Sequence, residues 1–270
     1  MVVNHLRDRF KPATQTARET NGTHGRSISS QTVRNRLKEV RLHARRPRRV
    51  LVLTRRHQIA RLAWARRHLR LTRADWANVL FVDETKIKLQ SADGRKRVYR
   101  RRGERHSEAC VEEMDRFGGG GNLMVWGGVS MHTKTPLIRV NGGLTAARYQ
   151  NDILRPVLLP HFARNRGMVL AQDNAPCHSA RTTQQFLALN NIRVMPWPAK
   201  SPDLNPIEHI WDLIKRNVKA LHPPHDINAL ERSVQQVWQQ IRQPTIQRYI
   251  VSMRKRCLAV IRARGGHTPY

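Results

Sequence analysis

Apolar residues recur along this chain with two periods, and the change between them falls near residue 77. Before it the spacing is helical. Residues 1–41 read as three short helices: HLRDRF, then PATQTARET, then SSQTVRNRLKEV after the turn-rich NGTHGRSIS. Ser29 or Ser30 can cap the last of these, because a serine hydroxyl accepts from an unpaired amide of the first turn. Its Val33, Leu37 and Val40 fall at i, i+4 and i+7 on one face, while Arg34, Arg36 and Lys38 lie on others. A short helix, a turn and a basic amphipathic helix make the pattern of a helix-turn-helix. A small helical bundle with a solvated basic face has the same pattern.

After residue 77 the texture becomes strand-like. VLFVDETKIKL (79–89), RKRVYRR (95–101), NLMVWGGVSM (122–131) and TPLIRVNG (135–142) read as successive strands. TAARYQNDILRPVLLPHF then has helical spacing, GMVLAQDNAP is an apolar strand ending in polar residues, SARTTQQFLALNN is a helix and IRVMPW a strand. The end, 205–221, 227–242 and 245–263, reads as helices. Strands first adjacent in sequence and then alternating with helices predict an α/β fold, a mixed sheet with helices on both faces. The expected organisation is a small all-α module over 1–42, a basic linker over 43–76 and a larger domain over 77–270.

Charge narrows the partner. Fifty Lys and Arg against nineteen Asp and Glu leave +31, and residues 1–76 carry +16 of it. Such a field fits a polyanion, since each neutralised phosphate releases a condensed counterion. A ribosomal-type protein or a membrane-surface binder is the alternative that charge alone leaves open. RRPRR (45–49) sharpens the reading. Pro47 disfavours helix at Arg46, so Arg45, Arg46, Arg48 and Arg49 flank an extended segment that suits a narrow minor groove or a nuclear import signal. No run of 18 apolar residues could span a bilayer, and the first residues, charged by Arg7, do not read as a secretory signal. Cys110, Cys177 and Cys257 are far apart and predict neither a zinc site nor a disulfide framework, which fits a reduced setting.

Within this basic chain three motifs place carboxylates at element ends. In VLFVDET four apolar residues run into Asp83 and Glu84, and the alternation of a strand lets only one of them face a given site. In GMVLAQDN, Asp173 ends an apolar strand, where open α/β sheets place ligands. In SPDLNPIEHIWDLIKR, Pro206 suits the first helical position, which makes Asn205 the N-cap and Glu208 the third helical residue. That segment also fits a capping box, and strand-end carboxylates are commonly turn formers. Taken together, three carboxylates in a polycation fit a metal-dependent nuclease, in which two divalent ions can bind the attacking and leaving oxygens. Oxygen ligands of this kind suit Mg2+.

DET (83–85), QDNAPCH (172–178) and SPDLNPIEHIWD (201–212) resemble the catalytic motifs of the Tc/mariner superfamily of transposases, on its Tc-like branch. Asp173 and Glu208 are separated by 34 residues, as on that branch, and FGGGGNLMVWGGV (117–129) and ARGGHTPY are similar too. The resemblance selects Asp83 over Glu84 and Glu208 over Asp203 as catalytic, metal-binding residues. It implies an RNase H-like catalytic domain, a clamp loop near 102–121, and two Mg2+ (or Mn2+) ions per active site. It also implies double-stranded DNA as partner, both terminal inverted repeats and a TA target, a homodimer on DNA, and a nuclear location. Two departures stand out. Ile87 replaces the usual phenylalanine, and residues 1–41 resemble the second of two helix-turn-helix subdomains, so the resemblance implies a shortened N-terminus.

The function implied is metal-dependent cleavage at transposon ends followed by strand transfer into target DNA. The rival readings are a non-catalytic, decayed transposon-derived DNA-binding protein and a stand-alone RNase H-type nuclease. Around the site, Asn174 is placed to orient Asp173 or a bound water, and His178 is either a similar support or a structural histidine. Trp126, Trp197 and Trp211 lie in apolar segments and read as core. Gly118 to Gly121 lack the Lys-Ser/Thr of a phosphate loop and read as a hairpin.

Overall fold

The structure, a computed structural model, describes residues 1–21, 27–44, 51–89, 121–220 and 224–270. It divides into two compact units, Met1–Val50 and Leu51–Tyr270. The expected strand at 95–101, the clamp loop apart from Gly121, and the segment RRPRR lie outside the described residues.

The small unit holds α1 (Val2–Arg7), α2 (Ala13–Asn21) and α3 (Ser30–Glu39). Of the two candidate caps it is Ser29, still extended, whose hydroxyl accepts from the Thr32 amide at 3.1 Å. Val33 is fully buried, whereas Val40 lies past the helix end and is 49% exposed. A buried hydrogen bond of 2.8 Å between Thr16 Oγ1 and His5 Nε2 ties α2 to α1.

The large unit begins inside the stretch expected as a linker. Thr54 and Thr72 cap α4 (Arg55–His68) and α5 (Arg73–Ala77), and Trp64, Ala65 and Trp76 enter the core of this unit. A linker reading fails here because the apolar stripe of α4 is narrow. One of its buried positions is Arg61, so the spacing looks polar throughout.

Five strands follow: β1 (Val79–Lys88), β2 (Asn122–Val129), β3 (Ile138–Val140), β4 (Val169–Ala171) and β5 (Arg193–Val194), ordered β3-β2-β1-β4-β5. β1 pairs antiparallel with β2 and parallel with β4, so the sheet is mixed. Between β3 and β4 run α6 (Ala146–Arg148), a π-wound stretch Tyr149–Leu158 and α7 (Leu159–Arg164). Pro156, inside the π-wound stretch, offers no amide hydrogen and interrupts the regular ladder. After β4 come α8 (Pro176–Ser179) and α9 (Arg181–Leu189); after β5 come α10 (Ile207–Ala220), α11 (Ile227–Gln240), α12 (Gln243–Val251) and α13 (Met253–Arg262). The single helix expected over 245–263 is therefore two. Ser252 separates them and turns its hydroxyl back onto the Tyr249 carbonyl at 2.6 Å.

Strand alternation sorts the core. Val79, Phe81 and Ile87 pack with residues of α4, α5 and α10 to α13 on one face. Leu80 and Val82 pack with Tyr149, Ile153, Leu158, Phe186 and their neighbours on the other. Burying roughly 1.5–3 kcal/mol per large apolar side chain on both faces is what holds β1 at the centre of the unit.

Candidate active site

β1 carries two adjacent carboxylates, and the pleat sends them opposite ways. Asp83 lies on the side of α10, where the Trp211 indole N–H donates to its Oδ2 at 3.1 Å. Glu84 lies on the side of α8 and accepts from His178 at 3.2 Å. Across β2, Asp83 is paired with Gly127. A Cβ at Gly127 would stand 3.0 to 3.2 Å from Trp238, Trp211 and Leu137, so glycine there leaves room for the indole that reaches Asp83.

Asp173 arrives at the same sheet end through register. β1 and β4 run parallel with Phe81 opposite Ala171, and Asp83 and Asp173 each come two residues later. Neighbouring strands are about 4.8 Å apart, so the first two motifs lie side by side. The Asp173 Oδ1 accepts from the Ala175 amide at 2.9 Å and from His178 Nδ1 at 2.7 Å. His178 thus bridges Asp173 and Glu84 with both ring nitrogens, its side chain 2% exposed. Burial alone would depress its pKa. Hydrogen bonds to Asp173, Cys177 and Glu84, with the Glu84 charge, outweigh burial and push it up to about 12, so the ring is an imidazolium that donates both bonds. The ring packs on Tyr149, 4.6 Å between centroids, and the Tyr149 hydroxyl donates to Gln172 at 2.7 Å.

The third motif is tied to the first by Asn205, whose side-chain amide donates to the Val82 carbonyl at 3.3 Å. The capping box does not form. The Asn205 amide hydrogen goes to the Pro202 carbonyl at 2.8 Å, which leaves the Glu208 carboxylate without that role. Asp203, the other acid of the motif, is committed elsewhere. It takes a two-pronged bond from Arg61, 2.6 Å at each oxygen, and a third from Thr268 at 2.7 Å.

Electrostatics link the three motif carboxylates. Asp83 is held well above the usual carboxylate range, first by burial and then by the charges of Glu208 and Glu84. Glu208 is raised by burial; Lys215 counters this, while Asp212 and Asp173 add to it. Asp173 is lowered, chiefly by its bond to His178. A cavity of about 350 Å³ opens beside Asp173, lined by Asn174, His178, Leu187, Met195 and Trp197 among others.

These groups fit divalent cations in donor chemistry and charge, being oxygen donors whose mutual repulsion a cation would relieve. Among the described residues no three His, Cys, Asp or Glu side chains stand in a metal-holding arrangement.

Several supports differ from the expectation. The Asn174 amide donates to the Trp197 carbonyl at 2.9 Å rather than to Asp173, because the loop turns it toward the segment after β5. The hold on Asp173 falls to His178. Trp126 and Trp211 are fully buried and Trp197 only partly. Trp211 is also the donor to Asp83, a role whose single sequence trace is its place one turn after Glu208. Glu84, Gly127 and Tyr149 carry no local signal, since their partners are far away in sequence. In the small unit Arg34, Arg36 and Lys38 are all exposed; Arg36 pairs with Glu39 at 3.0 Å and Arg34 reaches Gln31. Arg45, Arg46, Arg48 and Arg49 lie outside the described residues.

Residues 78–231 match the family described as DDE superfamily endonuclease, and residues 4–70 match a family described as Transposase. The chain is 37% identical over 245 residues to the transposable element Tcb2 transposase of Caenorhabditis briggsae, covering 90% of this chain and 88% of that one. To the Tc1 transposase of Caenorhabditis elegans it is 35% identical over 247 residues, with the same coverage. Its fold is similar to that of the Mos1 mariner paired-end complex with Mn, TM-score 0.78 at 22% identity, over 99% of this chain and 78% of that one. A second Mos1 structure, the paired-end complex with the left transposon end, gives 0.77 at 21%, over 98% and 78%. With an RNase H-like large unit and the three motifs at one end of its sheet, the chain belongs to the Tc/mariner DDE transposases and is a metal-dependent DNA transposase.

Proposed function

We propose that Asp83, Asp173 and Glu208 are the catalytic carboxylates and that together they hold two Mg2+ or Mn2+ ions. The observation that carries this is that partial burial and then the charges of Glu208 and Glu84 raise Asp83, while partial burial with the charges of Asp212 and Asp173 raises Glu208, which leaves the site short of positive charge. Bound there, divalent cations supply Lewis-acid stabilisation to the attacking and leaving oxygens of a phosphodiester displacement. The chain's own residues set the stage. Trp211 fixes one oxygen of Asp83, His178 and the Ala175 amide fix one oxygen of Asp173, and Asn205 anchors the start of the helix that bears Glu208. Each leaves a carboxylate oxygen for a ligand.

In this reading water attacks the phosphodiester at a transposon end, and the freed 3′-hydroxyl then attacks target DNA at a TA step. No covalent bond to the protein is needed. The DNA is a duplex carrying the terminal inverted repeats, contacted by Arg34, Lys38 and, with less freedom, the paired Arg36 on α3. Arg45, Arg46, Arg48 and Arg49 add further contacts to the DNA. The active species is a homodimer on DNA, and its place of work is the nucleus. Solved relatives include a Mos1 strand transfer complex and a paired-end complex with Mg.

The test is Asp173→Asn, which keeps shape and removes charge. Affinity for terminal-repeat duplex should stay within about two-fold, while Mg2+-dependent nicking, measurable in wild type, falls by about a hundred- to a thousand-fold, the loss expected when a charge-stabilising group is removed. Cleavage that survives the substitution would remove Asp173 from the catalytic set.

A further inference from the structure

We propose that the outer face formed by α4 and α13 is a phosphate-tracking surface for duplex DNA of any sequence, made of residues other than those of α1 to α3 and of the carboxylate site. The proposal rests on the transposase reading only for the identity of the polyanion.

Neither 55–70 nor 242–270 contains an Asp or a Glu. Arg70 is exposed in the turn just past α4, and on α4 itself the exposed cations are Arg55, Arg56, Arg66 and Arg67. At about 100° per residue they fall within an arc of roughly 120°, opposite the buried arc of Arg61, Trp64 and Ala65. On α13, Arg254, Lys255 and Arg262 fall in a similar arc, with Met253, Arg256, Cys257 and Val260 buried behind them. None of these eight surface cations has an acidic partner among the described residues, unlike Arg36, Arg139 and Arg148, which do.

The two helices form one surface. The Arg61 guanidinium donates to the Gly265 and Gly266 carbonyls at 2.9 and 3.0 Å, so the end of α13 is pinned to the first turns of α4. Gly265 has φ of +84°, and a Cβ there would overlap the Gln58 carbonyl, so the approach is as close as glycine permits. Arg61 also clamps Asp203, and Arg256 donates to the Asp203 carbonyl at 2.7 Å. Two arginines on the inner sides of these helices therefore hold Asp203, five residues before Glu208, and with it the loop that leads into α10. Phosphates gripped on the outer side are registered against that loop through a buried, nearly rigid connection.

A solvated face would account for scattered charges, but eight cations with no acidic partner among the described residues, seven on two arcs of packed helices and Arg70 in the turn beside them, make a field that suits a line of anions. Regular phosphate spacing does so without reading bases.

The experiment measures affinity of the full chain for a random-sequence duplex, without terminal repeats or metal, across salt concentrations. The variant is Arg55→Ala, Arg66→Ala, Arg70→Ala, Arg254→Ala and Lys255→Ala combined. A control neutralises Arg164, Arg166 and Arg181, exposed on other elements. Each lost phosphate contact removes about 0.9 from the slope of log affinity against log salt, so the variant should flatten it by up to about 4.5, and the control by much less per charge. In wild type, added duplex should slow amide exchange in α4 and α13. An unchanged slope, an equal per-charge loss in the control, absent protection, or binding to anionic vesicles in place of duplex would each overturn the proposal. Because no cleavage is read, these outcomes are independent of whether Asp83, Asp173 and Glu208 are the catalytic set.

Discussion

His178 is the residue through which the site is most exposed to a single change. Its imidazolium is the near neighbour that both Asp173 and Glu84 share, and it sits where water cannot replace it. His178→Ala leaves Glu84 13% exposed and unpaired, so unfolding should become easier by about 3–5 kcal/mol, the cost of breaking a buried pair. Adding Glu84→Gln should return part of that loss, because the second change removes the stranded charge. Denaturant midpoints of the two single variants and the double variant test this, and strict additivity would show that the bridge carries no energy. Gly127 works at the same scale. It is small because Trp211 needs the space to reach Asp83.

At the scale of elements, the loop before α10 is held from below by α4 and from the side by α13. Arg61 is 1% exposed and makes five hydrogen bonds to Asp203, Lys200, Gly265 and Gly266. Arg61→Ala should cost about 3–5 kcal/mol and blunt cleavage together with stability. Arg61→Lys should rescue little, since an ammonium cannot reproduce the planar fork that meets both Asp203 oxygens. Thermal unfolding of the two variants decides this, and a lysine variant close to wild type would mean that charge alone matters. This clamp also explains why Asp203, as acidic as Glu208 and near it in sequence, is unavailable to the site.

For the whole molecule, the carboxylate cluster makes stability depend on pH and on cations. Asp83 and Glu208 have raised pKa values when folded, so the folded state binds their protons more tightly than the unfolded chain. Their contribution is fully present below the ordinary carboxylate range, about pH 4, and is lost as pH rises through the raised values. Asp173, lowered, behaves oppositely: its contribution is present above that range and fades on acidification. In the absence of divalent metal the unfolding midpoint should therefore fall as pH rises above the ordinary carboxylate range. Asp83→Asn, which cannot ionise, should raise the midpoint at pH 8 and flatten that fall. A midpoint for Asp83→Asn at or below wild type throughout that rise in pH would contradict the repulsion on which the cation site rests.

Much of this protein is written locally. Cap residues, apolar periods and strand-end acids are relations among residues a few positions apart, and they predict α3, β1, β2, α9, α10 and α11 as well as the three motif carboxylates and the basic excess. Family resemblance rests on the same short stretches. What folding decided are pairings across the chain: Asp83 turned toward Trp211 and Glu84 toward His178, Asp203 given to Arg61 142 positions away, Asn174 given to Trp197, and the arginine-rich stretch 55–77 drawn into the core. The reason is physical. A polar side chain spends its hydrogen-bonding capacity on whichever partner burial brings to it, and for Arg61, Asp203 and His178 that partner is set by how sheet and helices pack rather than by any neighbour in sequence.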